Sequence, residues 1–491
     1  MTRRPIVSIA ILTVSMALAA CGGGGSSGSA PPPVTPTPSP SPGQTSCTSV
    51  ARENGIRRAA RAGAVDLVPN RLFVTYRPGV RDTSSVERSV SAVDSADLHA
   101  RSGLLRSVTL PAGADADTAA ATLRRSASVA SVDRMHYRYL AADGVSNDPD
   151  LNDDDQWYLY KTNVDSAAWS HTHGSAAVSV AVIDTGVDET NQDFIFDIKE
   201  SVLSGQVTTG AGSVQDTDGH GTNTSGLATA QTNNGYGYAG VGYSTHLQAY
   251  KIFPNATSST DCPTAATGDE VTAINDAVSN GASVISLSIG SPQTGNFDTQ
   301  EQKAVEDAIA AGVVVVAAAG NEYPGTGGDA PDYPAGYANV IAVGASAVGT
   351  HTAKVYSSIA NEVVASYSNS GPTLVAPGGD AGSSSNNNDP LLWIEGYGSR
   401  TTPFQTVQCK DQTPTGVCAL LFNGTSQATP QVAAAVALME AYHGGKRSLT
   451  PAQATSILTS TADKLDTTQY PASRQGAGRL DTGAAVAAAH P

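Results

Sequence analysis

The stretch VSVAVIDTG, residues 178–186, is a continuous apolar run that ends in an acid, a hydroxyl residue and a glycine. Three later stretches are likewise rich in Val, Ile and Ala: ASVISLSIG (282–290), GVVVVAAAG (312–320) and NVIAVGAS (339–346). Such runs are typical of strands that are buried on both faces of a parallel sheet. Helical patterns at 269–280 and 299–311 alternate with these strands, which predicts an α/β fold with helices on both faces of a parallel sheet.

Polar residues stand at or near the ends of these apolar runs, where α/β proteins place their sites. Asp184 ends the first run and Asn321 follows the run at 312–320, while His220 lies in a glycine-rich stretch. Ser426 directly precedes an Ala-rich helical segment. Each has an ordinary structural explanation as a cap, turn or loop residue. Together, acid, imidazole, hydroxyl and amide are the groups that nucleophilic acyl transfer requires.

The local sequences around these four residues resemble those of the subtilisin-like serine peptidases. The resemblance covers roughly 144–491, and Asn223, Gln427 and Gln431 depart from the family pattern without replacing a catalytic group. The matching segments follow one another in the family's order: VAVIDTGVD (180–188), DGHGTNTSG (218–226), SLSIGS (286–291), AAAGNE (317–322), YPAGYANVIAVGAS (333–346), YSNSGPTLVAPG (367–378) and NGTSQATPQVAA (423–434).

This resemblance implies a serine endopeptidase that hydrolyses protein and peptide substrates through an acyl-enzyme. Ser426 is then the nucleophile, and His220 accepts its proton and donates it to the leaving amine. Asp184 orients His220, and the Asn321 amide and the Ser426 backbone N–H hold the oxyanion. No cofactor is required for this chemistry.

The resemblance also implies substrate-binding residues. Ser288, Ile289 and Gly290 are expected to pair with the substrate backbone as an added strand. Asp332 precedes the Tyr-Pro of DYPAGY and is expected near the floor of the pocket for the residue before the cleaved bond. A carboxylate there favours Lys or Arg, while a solvated loop acid would leave the family's common preference for large apolar residues.

A structural calcium ion is a further expectation from the resemblance. Asp193 lies nine residues after Asp184, where many relatives have a calcium-binding carboxylate. Asn233 belongs to the loop QTNNGYGYAG (231–240), which resembles the loop that supplies carbonyl and amide ligands. An ordinary polar turn is the alternative for the same residues.

The N-terminus has the pattern of a targeting segment. Arg3 and Arg4 precede an apolar run at 6–18 that is too short to span a membrane as a helix. The sequence LAAC (18–21) resembles a bacterial lipobox, which predicts a signal peptide over 1–20 and a lipid on Cys21; a plain secretory signal is the alternative. Residues 21–63 are predicted to form a low-complexity tether. The expected location is the cell envelope, as an outer-membrane lipoprotein, or the exterior after processing.

Four cysteines follow Cys21, and an even number in an exported protein favours disulfides. Cys409 and Cys418 close a short loop and are the expected pair, and Cys47 with Cys262 remains possible by elimination. The first pair lies in an insert, residues 379–422, to which the family's segments assign no role. No Cys-x-x-Cys spacing supports a zinc site.

Residues 64–143 are predicted to form a small α+β domain. Strands are expected at 71–76 and 129–139, with a helix at 115–125. The segment resembles the ferredoxin-like, inhibitory propeptide of the same family, so the chain's own propeptide is an expected partner. Residues 51–140 contain 14 Arg and 9 Asp or Glu, a net charge of +5, whereas 141–491 have a net charge of −23. Opposite charges favour attraction between the two bodies.

Other function classes are less compatible with the sequence. The net charge of −16 argues against a nucleic-acid partner, and a monomer is expected. Asp-Thr-Gly at 184–186 is also typical of aspartic peptidases, which need two Asp in close proximity, but that function leaves His220 and Ser426 without a role. A catalytically inactive, lipid-anchored module for surface binding or adhesion is the remaining alternative, and the four intact residues argue against it.

Overall fold

A computed structural model describes most of the chain beyond the N-terminal region. The residues described are 67–97, 104–136, 148, 151, 156–255, 263–292, 298–325, 327–348, 362–380, 392–402 and 417–490. The predicted signal peptide and tether lie outside these residues, as do Cys21, Cys47, Cys262 and Cys409. Within the described ranges, no helix is both long and apolar enough to cross a membrane. The chain divides near residue 142 into two compact units.

The described residues of the smaller unit form six elements. They are β1 (Leu67–Tyr76), α1 (Ser84–Arg88), β2 (Asp94–Asp97), β3 (Leu104–Thr109), α2 (Ala116–Arg124) and β4 (Val129–His136). The strands pair antiparallel in the order β2-β3-β1-β4, and the element order β-α-β-β-α-β is that of a ferredoxin-like domain. The helix α2 begins where the sequence predicts, because the Asp115 side chain accepts hydrogen bonds from the first-turn N–H groups of Asp117 and Thr118.

The larger unit is built on a twisted, mostly parallel sheet. Its strands are β5 (Ser179–Asp184), β6 (Phe196–Leu203), β7 (Gln206–Thr209), β8 (His246–Lys251), β9 (Val284–Leu287), β10 (Val314–Ala318), β11 (Ile341–Val348), β12 (Glu362–Val364) and β13 (Leu374–Pro377). The order is β12-β11-β10-β9-β5-β8-β6-β7, with β13 also paired to β11. The four apolar runs in the sequence are confirmed as β5, β9, β10 and β11, which pair in parallel with their neighbours in the sheet centre. Among the described strands of this sheet, only β7 and β12 pair antiparallel to their neighbours.

Helices cover both faces of this sheet. Those that position the site or cover the sheet are α3 (Trp157–Lys161), α4 (Trp169–His171), α5 (His220–Thr229), α6 (Thr267–Ser279), α7 (Thr299–Ala310), α8 (Thr425–His443), α9 (Pro451–Thr461), α10 (Ala472–Gln475) and α11 (Thr482–Ala488). Successive residues of β5 point to opposite faces. Val182 therefore belongs to the cluster that contains α8, and Ile183 to the cluster that contains α6 and α7. The predicted two-sided α/β architecture is confirmed.

The described part of the insert contains a small hairpin. Strands β14 (Ile394–Tyr397) and β15 (Ala419–Phe422) pair antiparallel and form a separate two-stranded sheet. The hairpin is attached to α3, because the Trp157 indole donates to the Trp393 carbonyl at 2.8 Å and the Tyr158 hydroxyl donates to the Glu395 carbonyl at 3.1 Å. The insert is therefore packed against the larger unit through buried aromatic side chains.

Candidate active site

Asp184 and His220 are joined by a short hydrogen bond. Asp184 is the last residue of β5, and His220 is the first residue of α5. The distance from His220 Nδ1 to Asp184 Oδ1 is 2.7 Å. The same oxygen accepts the Thr185 backbone N–H at 2.7 Å, while the Thr224 hydroxyl donates to Asp184 Oδ2 at 3.1 Å. Both carboxylate oxygens are thus fixed, and the imidazole is held with Nε2 directed away from the acid.

The environment of His220 favours its protonated form. Burial alone would lower the pKa of His220, but the negative charge and hydrogen bond of Asp184 act in the opposite direction and raise it to about 9. Asp218 and Asp216 add to this upward shift of the pKa. The side chain of His220 is also enclosed, because the residue is only 6% exposed. A neutral His220 is therefore well placed to accept a proton from a nucleophile, because the negative charge of Asp184 stabilises the resulting imidazolium.

Ser426 stands at the start of α8, as the sequence predicts, and its neighbourhood is unusual for a helix. Pro430 has no N–H, so it cannot donate to the Ser426 carbonyl, four residues earlier. The Ser288 hydroxyl donates to that carbonyl instead, at 2.8 Å. The Ser426 hydroxyl in turn donates to the Ser288 carbonyl at 3.1 Å. The pair of serines fixes the first turn of α8 to the end of β9.

Within the described residues, the Ser426 hydroxyl makes its hydrogen bond with Ser288 and not with His220. The predicted nucleophile is therefore located at the correct helix terminus, but its proton is not yet directed at the base. In enzymes without substrate, such bonds are often long or poorly aligned and tighten in the complex.

Asn321 lies beside the N-terminus of α8. Its side-chain oxygen accepts both the backbone N–H and the hydroxyl of Thr425, each at 3.0 Å, which leaves its Nδ2 group as a donor. A Cβ placed on Gly424 would lie 3.6 Å from Ser426 N and 3.8 Å from Asn321 Nδ2. Both donors therefore lie close to Gly424, as does the Gln427 side-chain oxygen at 3.0 Å from the same position, and the N–H of Ser426 has no acceptor within the first helical turn. The positions of the two donors are compatible with the predicted oxyanion hole, which stays a prediction.

The predicted substrate-binding segment follows β9. Ser288 contacts Ser426, while the backbone groups of Ile289 and Gly290 take part in no hydrogen bond within the described part of the chain. Ser291 then pairs with Tyr333 through two backbone hydrogen bonds of 2.9 and 3.0 Å. The segment is thus anchored at both ends and has free backbone groups between them, as strand addition requires.

Asp332 is buried and lies close to this segment. Its Cβ lies 3.0 Å from the position that a Cβ on Gly290 would take, and its Cγ lies 2.7 Å from the corresponding position on Gly320. The Asn369 amide bridges Asp332 Oδ1 at 3.1 Å and Glu322 Oε2 at 2.8 Å. Burial, together with the charge of Glu322, raises the pKa of Asp332 to about 7. Asp332 is 4% exposed, so it is not the solvated loop acid of the alternative interpretation.

The residues predicted to bind calcium are engaged in hydrogen bonds within the protein. Both oxygens of Asp193 accept hydrogen bonds, from the Asn234 amide at 2.5 Å and from the Tyr397 hydroxyl at 2.5 Å. Asn233 does not contact Asp193 in these bonds; its backbone N–H donates to Asp148 at 2.7 Å. Throughout the described ranges, no three His, Cys, Asp or Glu side chains are grouped so as to hold a metal ion. Donors occupy both oxygens of Asp193, although the charge of Asp148 also acts on this carboxyl, and residues arranged in this way do not fit a calcium ion.

Burial raises the pKa of Asp193 to about 7, although the hydrogen bonds from Tyr397 and Asn234 act to lower it. Cys418 is in a disulfide bond. Its expected partner, Cys409, lies outside the described residues, so the pairing stays a prediction.

The chain has a second Asp-Thr-Gly triplet, at 481–483, whose aspartate has a different role from that of Asp184. Asp481 caps α11 by accepting the backbone N–H of Ala484 at 2.8 Å, and its other oxygen accepts the Asn163 amide at 2.9 Å. Asp184 is paired with His220 and not with Asp481, so the two triplets do not form the acid pair of an aspartic peptidase.

Three residues of the site were not among the sequence predictions. Thr224 contacts Asp184, Thr425 contacts Asn321, and Tyr397 contacts Asp193. Thr224 lies four residues after His220, a spacing that places two side chains on one face of a helix. That signal was available in the sequence, whereas no local pattern marks Tyr397.

Comparison with known proteins agrees with this geometry. The sequence profile of the subtilase family matches residues 175–478. A thermophilic serine proteinase from Bacillus sp. (strain AK1) is 34% identical over 309 residues, which are 61% of this chain and 60% of that protein. Subtilisin from Bacillus pumilus is 32% identical over 311 residues, which are 62% of this chain and 90% of that protein. The chain thus spans less than two thirds of the thermophilic proteinase.

A solved structure gives the same result for the fold. A protease from Pseudoalteromonas arctica superposes with a TM-score of 0.52 and 28% identity. The superposition covers 70% of this chain and 99% of that one.

Proposed function

Because the chain belongs to the subtilase family, we propose that it is a serine endopeptidase that hydrolyses the peptide bonds of proteins through an acyl-enzyme. The 2.7 Å hydrogen bond between His220 and Asp184 carries this proposal, because it fixes and polarises a base at the start of α5. This helix is joined to α8, which carries Ser426, by the hydrogen bond from the Gln427 amide to the Asn223 oxygen at 3.2 Å. An inactive adhesion module would have no use for such a pair, and no contact in the site favours that function.

In the proposed reaction, the Ser426 hydroxyl leaves the Ser288 carbonyl and attacks the carbonyl carbon of the scissile bond. His220 Nε2 takes the proton of Ser426, and Asp184 stabilises the resulting imidazolium. The new oxyanion binds between Ser426 N–H and Asn321 Nδ2. Breakage of the C–N bond transfers the proton from His220 to the leaving amine. Water then repeats the sequence with the acyl-enzyme and releases the acid.

The substrate is proposed to lie as an added strand along Ser288, Ile289 and Gly290, and the free backbone groups of Ile289 and Gly290 support this role. The residue before the cleaved bond would enter a pocket backed by Asp332 and Glu322. The buried Asp332 and the partly buried Glu322 both accept a hydrogen bond from the Asn369 amide, so two carboxyl groups lie close together there. A Lys or Arg side chain of the substrate would neutralise their negative charge, so the proposed preference is for basic residues.

A second part of the proposal concerns where the protein is located and how the N-terminal segments control its activity. Residues 64–143 are proposed to act as a propeptide that assists folding and temporarily inhibits the enzyme. The net charge of +5 for 51–140 against −23 for 141–491 supports attraction between them. Export to the cell envelope through a lipid on Cys21, with release to the exterior after processing, is the proposed route. The proposed mature enzyme is a monomer.

The decisive experiment compares the processed wild-type protein with its Ser426→Ala variant in casein hydrolysis at neutral to alkaline pH. We expect hydrolysis by the wild type, none above background by the variant, and labelling of the wild type at Ser426 by a sulfonyl fluoride. Circular dichroism of the variant controls for folding. Activity of the folded variant within about tenfold of wild type would contradict the proposal, because triad members act as a unit.

A further inference from the structure

Tyr397 of the insert reaches into the larger unit and meets Asp193, a residue of a different segment. The Tyr397 hydroxyl donates to Asp193 Oδ2 at 2.5 Å and accepts the backbone N–H of Tyr238 at 3.1 Å. Tyr397 is 1% exposed, and Asp193 is fully buried. The phenol oxygen therefore links the acid to the loop of residues 231–240 in the interior of the protein.

The loop is shaped to accept this side chain. A Cβ on Gly237 would lie 1.8 Å from the Tyr397 hydroxyl oxygen, and a Cβ on Gly226 would lie 2.9 Å from the Tyr397 ring. The rings of Phe194 and Tyr238 meet the Tyr397 ring edge-on, at centroid distances of 5.8 and 5.1 Å. The two glycines leave room for the phenol on one side, and the aromatic rings pack against it on the other. Its position is therefore determined by packing as well as by hydrogen bonds.

The remaining polar groups of the loop are also held by protein partners. The Asn234 amide donates to Asp193 Oδ1 at 2.5 Å, and its oxygen accepts the backbone N–H of Tyr236 at 2.9 Å. Asp148 accepts the backbone N–H groups of residues 233–235, at 2.7, 3.0 and 3.2 Å. Calcium would need six to eight oxygen lone pairs at one point, whereas here the carboxylates face donors.

The insert is anchored firmly enough to hold the phenol in place. Tyr397 ends β14, which pairs with β15, and the Tyr238 hydroxyl donates to the Glu395 carboxylate at 2.6 Å. This bond joins the loop to the hairpin a second time, two residues from Tyr397. Contacts from two residues of one strand limit the ways in which the loop can separate from the insert.

We propose that Tyr397 takes the place of a metal ion between Asp193 and loop 231–240, and that the insert is the element that holds this loop in a metal-independent way. The loop follows α5 directly, and the Gln231 backbone N–H donates to the Asp193 carbonyl at 3.0 Å. The hydrogen bond between Gln231 and Asp193 therefore also fixes the C-terminal end of α5. His220, the proposed catalytic base, lies at the N-terminal end of the same helix. The role assigned to the insert is thus structural support of the active site.

The test measures local opening of the loop by hydrogen exchange, read by mass spectrometry on peptides that cover residues 231–240. The full-length chain carries Ser426→Ala, so that self-digestion cannot alter the result. Tyr397→Phe is introduced into this parent and keeps the ring while it removes the hydroxyl. Tyr250→Phe is the matched control, because the buried Tyr250 hydroxyl also has one acceptor, Gln248 at 3.2 Å, and one donor, Asn280 at 3.0 Å.

At a pH above 7, where Asp193 is ionised, we expect Tyr397→Phe to accelerate exchange in the loop by about 10- to 100-fold, the range for a lost hydrogen bond to a charged group. Tyr250→Phe should leave exchange in the loop unchanged. Excess EDTA added to the parent should also leave it unchanged, and added calcium should not slow it. Faster exchange in the parent after EDTA treatment, reversed by calcium, would overturn the proposal even if Tyr397→Phe failed to fold. Unchanged exchange in a folded Tyr397→Phe variant would overturn it as well.

Discussion

His220 Nδ1 lies 2.7 Å from Asp184 Oδ1, and the two residues begin and end different elements, α5 and β5. The pair is therefore assembled by the packing of a helix terminus on the carboxyl end of a central strand. Because the carboxylate is enclosed and hydrogen-bonded on both oxygens, its charge acts on the imidazole with little screening by solvent. The hydrogen bond between Asp184 and His220 therefore acts most directly on the protonation of His220.

The first prediction concerns the pH dependence of hydrolysis. His220 must be neutral to accept the proton of Ser426, and its pKa is raised to about 9. Activity should therefore fall as the pH drops below this value, by about tenfold per pH unit well below the midpoint. The measurement is kcat/KM of the processed enzyme from acidic to strongly alkaline pH. A midpoint at or below 6.5, the ordinary value for His, would show that Asp184 does not stabilise the imidazolium.

The second prediction concerns Thr224, whose hydroxyl donates to Asp184 Oδ2 at 3.1 Å. Thr224→Val keeps the shape of the side chain and removes this hydrogen bond. The negative charge of Asp184 is then stabilised by one hydrogen bond fewer and attracts the imidazolium more strongly, so the midpoint of the pH profile should shift upward. Loss of positioning should also lower kcat by up to about tenfold.

Thr224→Ser is the matched control, because it retains the hydroxyl and should restore the wild-type midpoint. An altered kcat with an unmoved midpoint in Thr224→Val would mean that Thr224 acts on packing alone.

The third prediction concerns Asn321. Asn321→Asp keeps the oxygen that accepts the two Thr425 groups but replaces the donor Nδ2 with an acceptor. The variant should fold normally and lose about 10²–10³ in kcat, with a smaller change in KM. That magnitude is carried over from the equivalent amide of a subtilisin. Thr425→Val keeps the Asn321 donor, so a loss as large as that of Asn321→Asp would indicate a structural effect instead.

Much of the fold and of the site is predictable because it depends on local sequence. Buried parallel strands are continuous apolar runs, and Asp184 and Asn321 stand directly at the ends of two of them. Ser426 is marked by a glycine before it and by an Ala-rich helix after it. These signals are short-range, so they can be recognised without knowing the tertiary structure.

The features that the sequence did not predict depend on tertiary contacts. The glycines around His220 indicate a loop, yet α5 begins at His220 and is buried along its whole length. Burial against α8 and β5 overrides the weak helical propensity of this segment. Tyr397 meets Asp193 across 204 residues of sequence, and the insert that carries it has no periodic pattern. Contacts of this kind depend on how distant segments of the chain pack together, and no local sequence pattern indicates them.

The fourth prediction concerns specificity. The pKa of Asp332 is raised to about 7, so the carboxylate is available to a basic substrate side chain mainly above neutral pH. Matched peptides with Arg or Phe before the cleaved bond should show a preference for Arg that increases as the pH rises through 7. Asp332→Asn should reduce kcat/KM for the Arg peptide by about 10- to 100-fold and leave the Phe peptide nearly unchanged.

Asp329→Asn makes the same change of charge at an exposed position three residues earlier in the chain and serves as the control. A strong preference for Phe that is the same in wild type and in Asp332→Asn would exclude the basic preference.

The fifth prediction concerns maturation. If the segment 64–143 is a propeptide cut by the enzyme itself, Ser426→Ala should remain full length, while wild type yields a species that begins between residues 139 and 147. Surface charge pairs contribute little individually, so the attraction between the +5 and −23 segments should speed docking more than it tightens it. N-terminal sequencing of both proteins provides the measurement. Addition of a trace of mature wild type should convert Ser426→Ala at the same position, which separates cutting by this site from cutting by host proteases. A fully active wild type that stays uncut would mean that the segment is a permanent domain.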